Sequence, residues 1–123
     1  MGVYTGLRGK VILKDEFVES IQTLNSREIE WDGIEGLPDI YLDDSRTSFI
    51  PFGVVCYMPA DWDNYNTLEG NVWEFCCSLK NYTNTIEKFV SYVLPVIALS
   101  WDLESLYEEN EQPEIFTSGS TGG

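Results

Sequence analysis

Protein acid–base and nucleophilic chemistry usually starts from histidine, a thiol or a carboxylate pair. This chain has no histidine, three cysteines and 21 aspartates plus glutamates. Lack of histidine excludes Ser-His-Asp and Cys-His catalysis, histidine-ligated zinc and an imidazole base. The thiols are Cys56, Cys76 and Cys77. Without a neighbouring cation or helix N-terminus, a thiol stays protonated at neutral pH. Cys56 and Cys77 stand in apolar, strand-like contexts and are expected to be core residues, with Cys76 on the outward face. An odd thiol count makes a poor disulfide framework. Strand neighbours point to opposite faces, so Cys76 and Cys77 are no metal pair.

Carboxylates can also hold a metal ion. Asp61-Trp62-Asp63-Asn64 opens like a calcium loop. The resemblance then fails: Tyr65 holds the fifth position, Asn66 stands where glycine is needed, and Val72 where a bidentate glutamate belongs. Asp39, Asp43 and Asp44 could share a magnesium ion, but three acids in a loop are commonly just solvated. Paired carboxylates for glycoside cleavage need a fixed separation that nothing in the sequence sets. No GxGxxG follows a strand and no GxxxxGK[ST] occurs, so neither common phosphate cradle is present. The seven Lys and Arg are too few to make a phosphate clamp easy. Arg8, Lys10 and Lys14 form a small basic spot that is expected to serve nearby carboxylates. No catalytic, cofactor-binding or metal-binding residue is assigned, no cofactor is expected, and the chain is expected not to be an enzyme.

Two acidic tracts remain. Glu28, Glu30, Asp32, Glu35, Asp39, Asp43 and Asp44 follow one another with no intervening base, and so do Asp102, Glu104, Glu108, Glu109, Glu111 and Glu114. In an extended chain Glu28, Glu30 and Asp32 would share a face at roughly 7 Å intervals, on the order of the phosphate spacing of a nucleic-acid strand. Asp102 and Glu104 repeat the pattern. A solvated face is the plain alternative for either tract. Such density costs stability through repulsion, which a cationic partner would relieve. Candidate partner-binding residues are therefore Glu28, Glu30, Asp32, Asp43, Asp44, Glu104, Glu108 and Glu109. Trp62 and Tyr65 are candidate anchors, since aromatic residues dominate interface energetics.

A chain of 123 residues is one ordinary domain, and 43% apolar with 14% aromatic residues is enough to fold. Residues 1–116 are expected to form it, with 117–123 a flexible Ser/Thr/Gly tail or linker. The formal charge of −14 argues against direct binding to nucleic acid or anionic membrane, both of which need clustered bases. No signal peptide or transmembrane run is apparent, so a soluble, cytoplasmic protein is expected.

Val3–Leu13 reads as a strand with Val3, Thr5, Leu7, Val11 and Leu13 inward, and Gly6 and Gly9 marking a bulge or close backbone approach. Phe17, Val18, Ile21 and Leu24 make the apolar stripe of a helix that stops at Asn25-Ser26. Glu28–Ser48 reads as loop with a short helical turn. Phe49–Met58 is expected as a buried strand, paired through a long tip with a strand over Asn71–Lys80. A second helix follows from Ile86 to Ile97, capped by Asn84 with Glu87, and kinked or ended by Pro95. Leu99–Tyr107 is a strand with Leu99, Trp101, Leu103 and Tyr107 on one side, and Pro113–Phe116 a short return strand. The order β-α-β-β-α-β predicts an α+β fold: an antiparallel sheet of four or five strands with two helices on one face, in the split, ferredoxin-like arrangement. A looser α+β packing is the alternative.

The expected partner is a protein with a basic surface, blocked by the acidic tracts. In composition the chain is similar to small inhibitors from phages and mobile elements that act against nucleases or defence complexes. The alternatives are a carboxylate-based metal enzyme, a toxin-immunity protein, or an assembly protein of a larger particle. Oligomeric state is left open.

Overall fold

A computed structural model describes residues 3–118. Strand β1 (Thr5–Leu13) leads into helix α1 (Asp15–Asn25), a 3-10 turn (Trp31–Gly33) and the short helix α2 (Asp39–Leu42). A broken turn, α3 (Phe49–Phe52), precedes strands β2 (Tyr65–Glu69) and β3 (Val72–Leu79). Residues 85–97 form a continuous helical segment made of α4 (Thr85–Lys88), a π-helical stretch (Phe89–Val93) and α5 (Leu94–Ile97). Strands β4 (Ala98–Tyr107) and β5 (Glu114–Thr117) complete the fold. The sheet order is β2-β3-β1-β4-β5, antiparallel throughout. That is the split βαβ order expected from the sequence, with one strand added at the β4 edge.

Strand alternation decides which side of the sheet is dry. In β1, Leu7, Val11 and Leu13 are buried on one face. Their cross-strand partners in β3, Cys77, Trp73 and the neighbouring Phe75, are buried with them. Ile21 and Leu24 of α1 and Ile86, Phe89, Val93, Leu94 and Ile97 of the second helical segment join the same cluster. Both helices therefore cover one face. Burying each large apolar side chain is worth about 1.5–3 kcal/mol relative to exposure, and this layer supplies most of the driving force. At its centre the rings of Trp31, Tyr41, Trp73, Phe75 and Phe89 meet edge to face or tilted, with centres 4.7–6.4 Å apart.

Two glycines of β1 are there because backbone or ring atoms come too close for a side chain. Gly9 has φ +145°, and a Cβ on it would lie 2.2 Å from the carbonyl oxygen of Asp102. A Cβ on Gly6 would lie 2.7 Å from the Trp62 ring, on the other face of the sheet.

That other face carries a strap. The residues expected as a buried strand, Phe49–Met58, do not form one. Ile50 and Pro51 depart from helical geometry within α3 and the Ile50–Pro51 peptide is cis. Pro51 has no N–H to give to a ladder. The chain instead turns around the β3 edge. Ser78 N donates to Gly53 O at 3.2 Å, Ser78 Oγ donates to Val54 O at 2.7 Å and accepts from Cys56 N at 3.1 Å. Met58 and Trp62 then lie over the open face against Cys76 and Leu106, a second, smaller apolar cluster. The hairpin partner of β3 is β2, which lies within the residues expected as the long connection. Gly70, at φ +59°, starts the two-residue turn that joins them.

Three smaller expectations also change. Asn84 has φ +60° and its side chain caps nothing. Asn81 does that work, accepting from Ile86 N and donating to Glu87 Oε1 at 2.9 and 2.8 Å. Leu99 is exposed, because a register shift pairs Leu13 with Ala98 after Ile12 has paired with Ser100. Ala98 packs inward in its place. Thr117 lies in β5 and Ser118 Oγ accepts from Trp101 N at 2.8 Å, so those two belong with the sheet. The rest of the expected tail, Gly119–Gly123, lies outside the described residues. Among the described residues no helix is long and apolar enough to cross a membrane.

Candidate functional site

The first acidic tract starts where α1 stops. Arg27 takes φ +68°, and Glu28 N reaches back to Thr23 O at 3.2 Å. Ile29 and Trp31 pack inward, leaving Glu28 and Glu30 exposed. The extended spacing expected for Glu28, Glu30 and Asp32 ends there, because residues Trp31–Gly33 wind into a 3-10 turn. Asp32 is exposed on that turn. It lines a polar depression together with Glu30, Ser45, Thr47 and Ser48. The buried Trp31 between these two acids fixes the position of both.

Asp43 and Asp44 part company. Asp43 follows α2 and is exposed. Asp44 turns inward until its carboxylate is fully covered. It accepts from Arg46 N at 2.8 Å, Thr83 Oγ1 at 2.7 Å, Thr85 Oγ1 at 2.9 Å and Lys88 Nζ at 3.1 Å. With its valences filled from within, Asp44 ties α2 to the start of the second helix and does not present to a partner. Burial alone would raise its carboxyl, but the bonds from Arg46, Thr83, Thr85 and Lys88 win and hold it below the usual aspartate value. A depressed folded value means stability that is present above the unfolded value, about 3.9, and lost as pH falls through the folded one. Asp44→Asn should therefore cost ~1–3 kcal/mol at neutral pH. The gap between wild type and variant should close below about pH 4, the unfolded value, in urea titrations. A gap unchanged from pH 7 to pH 2 would contradict the assignment.

The second tract is split in the same way. Asp102 is exposed, while Glu104 is half-buried beside Arg8 Nη2 at 3.5 Å. Both stand on the open face of β4, as the alternation predicts, opposite Lys10 and Arg8 of β1. Glu108 is half-buried, and its Oε1 accepts the Tyr4 backbone N–H. Glu109 and Glu114 are exposed. Each tract sends one acid to the start of the second helical segment. Asp44 is bonded to Thr83 and Thr85 there, and Glu114 lines a depression with Asn81, Tyr82 and Glu87.

Of the aromatic anchors, Trp62 is 4% exposed and serves the molecule itself. The Arg8 guanidinium lies 4.0 Å from the centre of the Trp62 ring and reaches Asp61 at 3.4 Å. The side chains of Trp62 and Arg8 thereby pin the strap over Gly6. Tyr65, 44% exposed at the head of β2, remains accessible.

The thiols are not prepared for chemistry. Burial pushes Cys76 up to about 11 and Cys77 higher still. Cys76, expected on an outward face, is on the open side of the sheet but covered by Met58 and Trp62. Among the described residues no three Cys, Asp or Glu side chains come together in a way that could hold a metal. The carboxylates are also largely unmatched: among the described residues, ion pairs engage Asp44, Asp61 and Glu104 out of 21 acids in the chain. No family model matches the chain, and no match was found among curated proteins or solved structures.

Proposed function

We propose that this chain is a non-enzymatic, cytoplasmic inhibitor that docks its exposed acids on a basic surface of a partner protein, a surface that otherwise holds nucleic acid. The observation that carries the reading is the small number of ion pairs. Three carboxylates are matched within the described residues. Glu28, Glu30, Asp32, Asp43 and Glu109 stand exposed on or beside fixed elements. An excess of one sign at this density is costly to the folded state alone and useful to a complex. Carboxylates displayed by a packed scaffold are preorganised for a cationic groove, and their field speeds encounter before contact. Tyr65 offers an aromatic contact within reach of the solvent.

The test is capture from lysate at low salt with wild-type protein and with a variant in which Glu28, Glu30 and Asp32 are replaced by lysine. The reading expects a partner retained by wild type, lost from the variant and released by rising salt. A partner retained equally by both proteins would defeat it.

A further inference from the structure

Beside the β3 edge the fold gathers a surface unlike the rest of this acidic molecule. Arg46, Lys80, Tyr4, Phe49, Val54 and Cys56 line one groove of about 330 Å3. Arg46 and Lys80 are far apart in sequence, and the turn of the strap around the sheet brings them to the same groove. Each cation lies against a tyrosine ring. The Arg46 guanidinium carbon is 5.1 Å from the centre of Tyr82, and Lys80 Nζ is 5.6 Å from that of Tyr4. Among the described residues neither cation forms an ion pair. The Nε of Arg46 is buried with no hydrogen-bond partner.

Why these cations stay unmatched in a chain with 21 acids has a structural reason. Two carboxylates close by in the fold are already engaged. Asp44 is saturated by Thr83, Thr85, Lys88 and Arg46 N, and Glu108 is held by Tyr4 N. Two positively charged side chains thus line one groove, and among the described residues no carboxylate pairs with either. Tyr57 stands beside it, 75% exposed, its ring centre 5.8 Å from that of Tyr4. Phe49 and Val54 are exposed there too.

We propose that this groove binds a nucleotide, with its phosphate between Arg46 and Lys80 and its base against the open face of Tyr57. A doubly charged phosphate matches two cations, and the arginine fork suits its oxygens. An accessible aromatic ring takes a planar base by stacking, an interaction that tolerates any base. The groove is at the lower end of the size range of small-molecule sites. The formal charge of −14 favours a single nucleotide over a nucleic-acid strand, because every further phosphate would meet the repulsive field of the whole molecule. A carboxylate of an acidic peptide carries the right sign but one charge per group, whereas a phosphate concentrates nearly two on one group.

The experiment is calorimetric titration of the full chain with AMP, GMP, UMP and ATP, with adenosine, inorganic phosphate and a short Glu-Phe-Glu peptide as comparisons. One saturable site for the nucleotides is expected, with adenosine and phosphate each binding at least tenfold more weakly. Arg46→Gln and Lys80→Gln should each weaken AMP tenfold or more. Tyr57→Ala should weaken AMP and leave phosphate unchanged; this exposed side chain can be removed without disturbing the core. Circular dichroism of each variant matching wild type keeps the comparison sound. The proposal is overturned by no saturable nucleotide binding up to millimolar concentration. It is equally overturned by phosphate binding as tightly as AMP, or by the peptide binding where nucleotides do not.

Discussion

Replacing Trp31 by alanine is expected to remove a large part of the folding stability, about 4 kcal/mol or more. The Trp31 ring sits at the meeting point of the core, edge-to-face with Tyr41 and Phe89 at 5.6 Å and tilted against Trp73 at 6.3 Å. Truncating a buried tryptophan costs about 3–5 kcal/mol through lost transfer and the cavity left behind. The Nε1–H also donates to Ile50 O at 2.7 Å, a buried bond. Its loss leaves that carbonyl unsatisfied, for a further ~1–3 kcal/mol. Whole domains are stable by about 5–15 kcal/mol, so Trp31→Ala should be marginal at 37 °C. Trp31→Phe keeps a ring and loses the donor, and should fall between. Urea unfolding should rank wild type above Trp31→Phe above Trp31→Ala. An alanine variant within about 1 kcal/mol of wild type, well short of the truncation cost, would show that this ring does not organise the core. The consequence reaches the surface, because Trp31 lies between Glu30 and Asp32 and anchors both.

The second large effect is expected on association. Converting Glu28, Glu30 and Asp32 to lysine changes the formal charge of −14 by two units at each site, all at the end of α1 and the following turn. Long-range steering changes on-rates by about 10–1000-fold, and reversing a local patch should recover a good part of that. A drop of about tenfold to a hundredfold in the association rate at low salt is expected. The dissociation rate should change less for residues at the rim. Stability should move by no more than ~0.5 kcal/mol, as for exposed sites away from special contacts. Asp44 is fully covered and takes no part in this patch. Binding by the triple variant at the wild-type rate would mean that this tract is only a hydrated face.

Much of the scaffold was written in short-range pattern. The inward face of β1, the stripe of α1 and the split βαβ order could be read because periods of two and 3.6 survive wherever one face is dry. Gly6 and Gly9 were legible as points of close approach, although not what approached them. Phe49–Met58 misled because its β-forming composition arises from packing at a sheet edge: Ile50 and Pro51 are buried while Val54 and Tyr57 point to water. The β2–β3 hairpin did carry a signal, the Gly70-Asn71 pair between Glu69 and Val72, a dipeptide typical of two-residue turns. Asn81 rather than Asn84 holds the second helix because the chain takes a left-handed step at Asn84, which spacing alone does not reveal.

The site was harder to read for a different reason. Acidic side chains look alike in sequence, and tertiary partners alone distinguish them. Thr83, Thr85 and Lys88 bury Asp44 while its neighbour Asp43 stays outside. Trp62 looked like an exposed hairpin tip until the strap folded it over Gly6. Seven bases scattered along the chain give no sign of a clamp in sequence, yet long-range contacts place Arg46 and Lys80 in one groove.

Whether the unmatched acids serve recognition can be decided by one kinetic measurement, the association rate of the wild-type chain with its captured partner as ionic strength rises from about 10 mM to 150 mM, which shortens the screening length from about 30 to 8 Å. Docking through the acidic surface requires a steep fall over that range, reduced in the Glu28/Glu30/Asp32 lysine variant. A rate that stays level with salt in both proteins would contradict it.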